Sequence, residues 1–521
     1  MLGRLMPVAL RQPIPPANGS LQARSSLPTT SEESDLPAAA GTHGQSSEPR
    51  FRGSAAHAEL GEGFFDLVEP ARFPLHLIRH RNQRWAQRVG LERLSDDEWI
   101  AHFGRFEPLP GSFSQPLALR YHGHQFRAYN PELGDGRGFL FAQMRDLLDD
   151  RLLDFGTKGS GQTPWSRTAD GRLTLKGGVR EVLATEMLEA LGVNTSKSFS
   201  LIETGEQLSR GDEPSPTRSS VLVRLNHSHI RIGTFQRFGF LGDNDRLQRL
   251  LDYTITTYMP GLWRDEPAER AIGFLGEVTR RVARVGAEWM AAGFVHGVLN
   301  TDNINVTGES FDYGPWRFAP TYDPEFTAAY FDQQRLYAFG RQPDALAWNL
   351  VRLGGCLLPF AEQADLEAAL NVFGPTFHRE LGATLTGRLG LVRSSDEQEA
   401  ALVRAWFTFL LNSQAPFEQA MFDWRGGKAS AGRARQSPSA HHYTAEHFAP
   451  VRDVLQSFQP APDANLDHPY FQRPQPCTML IEDVEALWSA IASGDDWSAL
   501  HRKLDDIASM AEAYGTAPAA A

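Results

Sequence analysis

The stretch FVHGVLNTDNINVTGESFDYG, Phe294 to Gly314, carries a His-Gly pair, an adjacent Asp302-Asn303, and Asp312-Tyr313-Gly314 nine residues beyond Asn303. Asn and Asp side-chain oxygens are hard ligands of the kind that magnesium takes. Just before it, residues 268–294 repeat apolar side chains at the helical period, so the stretch leaves the end of a long helix. Outward from there the chain changes character. Before about residue 240, "GRGFLFAQM", "LLDFGTKGSG" and "SSVLVRLN" read as strands meeting turns. Among them "LKGGVREVLATEMLEALGV" reads as an amphipathic helix stopped by Gly192. Beyond 241 helices dominate, as in "DRLQRLLDYTITTYM", "PDALAWNLVRLGGCLLPF" and "EQEAALVRAWFTFLLN". A last helical pair is "IEDVEALWSAIAS" with "SALHRKLDDIASMAEAY". A strand-rich half followed by a helical half, with the loop at their junction, predicts an α+β, two-lobed, protein-kinase-like fold.

Protein kinases place H-R-D-x-x-x-x-N before D-F-G, with the first Asp as base and the Asn and second Asp on magnesium. On that spacing His296, Asn303 and Asp312 fall into register, but the base position is Val298. Asp302 is the only carboxylate between Val298 and Asn303. A base supplied by this loop is therefore Asp302, which is otherwise a plain turn residue. Asp154-Phe155-Gly156 spells the same tripeptide, yet it precedes the His-Gly pair and reads as the end of a strand leading to Lys158.

Phosphate chemistry needs further parts. "LGDGRG" supplies a turn with Gly134, Gly136 and Gly138, whose backbone can approach phosphates without a Cβ in the way, and Arg137 adds a cation. Lys158 follows an apolar run, and Glu181 lies 23 residues later on the amphipathic helix; the two can serve as a phosphate-holding lysine and its orienting carboxylate, although such a pair also occurs by chance in most enzymes. Arg224 and Arg231 flank "LNHSHI". They are either two solvated arginines or a pair facing one cleft, where guanidinium groups bind phosphate bidentately. The H-x-H pairs His122/His124 and His227/His229 have no partner motif and read as packing or hydrogen-bonding residues.

The 521 residues carry a net charge of −12, against a general nucleic-acid binder, and only two cysteines, Cys356 and Cys477, with no C-x-x-C. A reducing, cytoplasmic setting fits that count. No apolar run reaches membrane-spanning length. The first acidic residue is Glu32, which raises an organellar alternative, although the prolines before it spoil an amphipathic helix. Composition divides the chain into a disordered tail (1–58), a nucleotide-binding lobe (59–240) and a helical lobe (241–424). A basic low-complexity loop (425–443) and a helical extension (444–521) follow, and a monomer is the simplest expectation.

The stretches "YHGHQF", "LGDGRG", "TKGSGQTPWSRTADGR", "VREVLATE", "VRLNHSHIRIGTF", "FVHGVLNTDN", "DYGPWRF" and "RQPDALAWNLVRL" resemble, in order, the selenoprotein O family, densely over residues 110–355. The resemblance implies a protein-kinase-like fold and transfer of AMP from ATP to Ser, Thr or Tyr hydroxyls of proteins, with pyrophosphate leaving. For some members it implies transfer of UMP from UTP. On the family pattern Asp302 is the proton acceptor, while Asn303 and Asp312 bind Mg2+ or Mn2+. Gly134, Gly136, Arg137, Lys158, Asp170, Gly171, Arg224, Arg231 and Asp312 match nucleotide-binding positions, and Glu181 matches the partner of the lysine. A reversed ATP would bury its γ-phosphate and face its α-phosphate to the acceptor, which frees the base from the kinase position. Two departures stand out. The final "AEAYGTAPAAA" lacks the redox-active Cys or selenocysteine of many members, and "TAAYFDQQRLYAF" keeps little of the family's Asn-His-Ser-Asp run.

The alternatives are γ-phosphate transfer and non-catalytic nucleotide binding. Val298 weighs against the first, because a missing base costs roughly 10²–10⁴ in rate. Retained Lys158, Asn303 and Asp312 weigh against the second.

Overall fold

The computed structural model describes residues 51–211 and 213–517. The expected tail falls mostly outside them, but residues 51–58 are ordered, contrary to that expectation. Gly53–Ser54 pairs antiparallel with Gln143 and Met144, and His57 is buried with its N–H donating to Gln143 Oε1 at 2.8 Å. Order starts early because Leu60 and Phe64, just beyond, enter the main core.

The first part of the chain builds a nine-stranded sheet. Its main path runs Phe65–Leu67, Leu117–Leu119, Leu140–Arg145, Leu152–Lys158, Thr217–Asn226, Lys197–Leu208, Leu77–Arg81, and every pairing is antiparallel. Leu152–Lys158, hereafter the lysine strand, is buried along its whole length, Asp154 and Lys158 included, and the apolar Leu152, Leu153 and Phe155 lead into the lysine. It contains the Asp-Phe-Gly tripeptide, as the sequence suggests. One sheet face covers an aromatic core of Trp99, Phe103, Phe141, Phe155 and Phe199.

The other face carries Leu175–Ala190, the glutamate helix. Thr174 caps it by accepting the Gly177 N–H, and Val179, Val182, Leu183, Met187 and Leu188 seal it into the main core. Beyond the sheet the chain is helical. Pro267–Ala292 opens with proline in its first turn and closes on Gly293 at φ +67°, delivering the chain to Phe294–Val295, which pairs with Arg317–Phe318. Gln342–Cys356 packs beneath that loop, and no helix of the described residues is long and apolar enough to cross a membrane.

Residues 425–443 are not a mobile loop. They form a turn at Gly427–Ser430 and the helices Ala431–Gln436 and Ala440–Thr444. Basic residues here serve as interior donors: Arg425 Nη1 donates to the Arg388 carbonyl at 2.9 Å and Nη2 to the Tyr514 carbonyl at 3.0 Å. Arg433 Nη2 donates to the Arg425 carbonyl at 2.6 Å. The final helices, Ile481–Gly494 and Ser498–Tyr514, reach back to the sheet and the glutamate helix. Asp495 between them accepts from Arg218 at 2.7 Å and Arg79 at 3.2 Å, and Thr516 Oγ1 donates to the Ala190 carbonyl at 2.7 Å.

Candidate active site

The lysine strand, the glutamate helix and the Phe294–Gly314 loop meet at one buried ion-pair network. Lys158 Nζ donates to Glu181 Oε1 and, at 2.7 Å, to Asp312 Oδ1. Arg224, on the neighbouring strand opposite Gly156, places Nη1 3.3 Å from the same Asp312 oxygen. Burial alone would raise the Asp312 carboxyl, but Lys158, Arg224 and Arg137 outweigh it and hold the group well below the usual carboxylate range. Asp312 is therefore an anion, 26% exposed on its side chain, in the left-handed conformation at φ +64° that Asp tolerates better than most residues. Both cations use Oδ1, which leaves Oδ2 for a further partner.

The loop before it is held from below. His296 Nε2 hydrogen-bonds the Phe311 carbonyl at 2.9 Å. Gln342 accepts the His296 N–H at 3.0 Å and donates to the Phe294 carbonyl, and Asn349 donates to the Leu299 carbonyl at 2.8 Å. Both side chains come from the "RQPDALAWNL" helix, to whose Gln and Asn the sequence reading attached no role. At the tip, Asn303 Nδ2 donates to the Val298 carbonyl at 3.1 Å, so its amide oxygen is the remaining ligand atom. Asp302 packs against Gly123 and Gly233, where an added Cβ on Gly123 would lie 2.9 Å from its Oδ1. That Oδ1 is buried with no hydrogen-bond partner among the described residues. Burial, helped by the charge on Asp312 and opposed by Arg231, pushes the Asp302 carboxyl up to about 7.

The two arginines of "RLNHSHIR" are not solvated: both are buried beside Phe311. Arg231 pairs with Asp135 at 2.9 Å and lies over the Tyr121 ring at 4.1 Å. Asp135, the carboxylate inside "LGDGRG", was missed as a site residue; its place between two glycines read only as a turn. The glycines of that turn answer to protein packing. A Cβ on Gly134 would lie 2.4 Å from the Trp165 ring, and one on Gly136 2.8 Å from the Trp165 carbonyl. Arg137 is exposed and contributes to the field at Asp312. Asp170 is exposed and Gly171 is buried. Gly171, at φ +69°, accepts the Gly161 N–H just beyond Lys158, and the Asp170 carboxylate is taken by Arg210 at 2.7 Å. The four histidines of the H-x-H pairs hydrogen-bond or pack; His122 meets Tyr129 at 2.8 Å and His124 meets Gln236 at 2.7 Å.

The arrangement suits an anionic ligand with several phosphates. Arg224 Nε and Arg231 Nε are buried donors without partners among the described residues, and orphaned cationic donors are costly unless an anion satisfies them. No group of three or more His, Cys, Asp or Glu suited to a metal exists among the described residues. A divalent cation here would rest on the hard oxygens of Asn303 and Asp312 together with phosphate oxygens, the usual way magnesium is held.

Residues 51–508 match the family model described as "Protein adenylyltransferase SelO". A protein of Trichodesmium erythraeum named "Protein nucleotidyltransferase YdiU" is 43% identical over 465 residues, covering 86% of this chain and 96% of the relative. Proteins of the same name from Gloeobacter violaceus and Synechocystis are 45% and 43% identical, covering 85% and 84% of this chain and 92% and 94% of theirs.

Proposed function

Because the chain belongs to the SelO family of protein adenylyltransferases, a nucleotidyl-transferring enzyme acting on proteins, we propose that it moves AMP from ATP to Ser, Thr or Tyr hydroxyls and releases pyrophosphate. The observation that carries this reading is the pairing of a vacant kinase base position, Val298, with Asp302 four residues later, whose Oδ1 is buried without a hydrogen-bond partner among the described residues. Asp302 takes the proton from the acceptor hydroxyl. The hydroxyl oxygen attacks the α-phosphorus, the bond from that phosphorus to the bridging oxygen breaks, and pyrophosphate leaves with the electron pair.

Lys158, Arg224 and Arg231 bind the departing phosphates, deep in the site as a reversed nucleotide requires, and Arg137 closes over them from the exposed side. Fixed cations aimed at developing charge are usually the largest catalytic contribution in such transfers. Gly134, Gly136, Asp170 and Gly171 shape the nucleotide's rim, and Glu181 positions Lys158. Asn303 and Asp312 are the ligands for Mg2+ or Mn2+, which when bound neutralises phosphate charge. The two-lobed kinase-like reading is supported by the place of the site, where the lysine strand of the sheet meets the loop that follows the long helix, and the enzyme is taken to act as a cytoplasmic monomer. The relatives' name specifies a nucleotidyl group without naming the base, which covers a second donor as well: UTP supplying UMP.

Parallel labelling with α-³²P and γ-³²P ATP and magnesium, with Asp312→Ala as blank, tests the proposal. Label entering protein from the α position alone is expected. Label from the γ position alone would restore ordinary phosphotransfer.

A further inference from the structure

A hairpin, Gly123–Gln125 with Ala128–Asn130, turns on Phe126 and Arg127 beside the Asp302 loop. Two-residue hairpin turns with both residues at positive φ favour Asn-Gly because a side chain there is sterically penalised. Here Phe126 at φ +49° and Arg127 at φ +65° occupy those positions. Strain of this kind persists where surroundings over-determine it, and it concentrates at functional sites. The surroundings are explicit. The Phe126 N–H donates to Asn300 Oδ1 at 3.1 Å, the Tyr337 hydroxyl donates to the same oxygen at 2.8 Å, and the His124 N–H donates to Thr301 Oγ1 at 2.7 Å. Asn300 and Thr301 immediately precede Asp302.

The strained turn presents an aromatic ring to solvent and is continued by two more. Phe126 is 39% exposed, Phe331 46% and Tyr330 84%, with ring centroids 5.9 Å apart for Phe126–Phe331 and 5.2 Å for Tyr330–Phe331. Phe126 also packs on Tyr337 at 5.0 Å. The segment bearing Tyr330 and Phe331 is not a loose flap: Asp332 accepts the Leu336 and Tyr337 N–H groups at 2.9 and 2.8 Å. It is the stretch where the sequence departs from the family run. The patch is thus aromatic and is tied, through the Phe126 N–H on Asn300, to the residues just before the proposed base. The nucleotide's anionic groups are met elsewhere, by Lys158, Arg224 and Arg231.

We propose that Phe126, Tyr330 and Phe331 are the docking surface for the acceptor polypeptide, taking an extended segment with a bulky apolar side chain next to its hydroxyl residue. The proposal rests on the transfer reading above. A hydroxyl that reaches Asp302 brings its neighbouring residues toward the turn whose Phe126 N–H is bonded to Asn300, and that turn carries the aromatic patch. Exposed aromatic rings gain most by covering apolar side chains.

The test is an oriented library of peptides with a central Ser, Thr or Tyr and randomised flanks, incubated with α-³²P ATP and magnesium. Wild-type enzyme is expected to enrich Leu, Ile, Met, Phe or Tyr at one flanking position. Tyr330→Ala and Phe331→Ala should erase that enrichment and lower kcat/KM for the selected peptide about 10- to 200-fold, chiefly through KM, with ATP affinity unchanged. Tyr330→Phe, which keeps the ring, should retain selection, and unchanged unfolding temperatures will exclude misfolding of the surface variants. Transfer by wild-type enzyme with no apolar preference, or selection that survives both alanine variants, overturns the docking proposal alone. No labelled peptide with wild-type enzyme overturns the transfer reading, and the docking proposal with it.

Discussion

Two residues in one loop define the chemistry at the smallest scale. Val298 contributes its carbonyl, which fixes Asn303, and Asp302 contributes a carboxylate whose Oδ1 has no partner among the described residues. Burial first, and the Asp312 charge second, push the Asp302 carboxyl up to about 7. A raised carboxyl is protonated below that value and ionised above it, and only the ionised form accepts a proton. Transfer measured as kcat/KM should therefore rise with pH and level off above about 7. Asp302→Asn should lose roughly 10²–10⁴ in rate, retain nucleotide binding, and show no such inflection. A steady-state pH profile of both proteins checks this, and a flat wild-type profile would remove Asp302 as the base.

At the scale of elements, the site depends on how one helix holds one loop. Asn349 and Gln342 of Gln342–Cys356 satisfy the Leu299 and Phe294 carbonyls behind the catalytic residues. Asn349→Ala strands a buried carbonyl, which costs about 1–3 kcal/mol, and lets Asp302 and Asn303 drift. Denaturant titration should register that loss, and transfer should fall while ATP affinity holds. These anchors mark the limit of what the sequence discloses. The lysine strand and the glutamate helix were legible because Leu152, Leu153 and Phe155 in the one, and a helical stripe in the other, leave a direct apolar pattern. Lys158, Glu181 and Asp312 were legible as candidates by spacing, but their meeting is a tertiary fact. Arg224 and Arg231 left two readings open, since nothing local to "RLNHSHIR" says which surface will cover them. Residues 425–443 misled because arginines that donate to interior carbonyls have the same composition as arginines in solvent. The Phe126-Arg127 turn carries no turn signal at all; its conformation is imposed by Asn300, far away in sequence.

For the whole molecule, a polyphosphate that met the Arg224 and Arg231 donors, which have no partner among the described residues, would add its binding energy to the stability of the fold. ATP with magnesium at about 100 times its dissociation constant should add about 2.7 kcal/mol to stability. A thermal-shift series should show the rise, and a chelator or Asp312→Ala should flatten it. A rise that ignores both would place the nucleotide elsewhere.

The contact between Thr516 and the glutamate helix spans 326 residues of chain. At a synthesis rate of roughly 5–20 residues per second, the glutamate helix waits about 15–65 s on the ribosome before the helix that braces it exists. Ser498–Tyr514 is thus a timing element as well as a brace. A chain that stops before this helix carries every residue assigned to the chemistry, yet lacks the contacts that hold the C-terminal end of the glutamate helix, Thr516 on the Ala190 carbonyl among them.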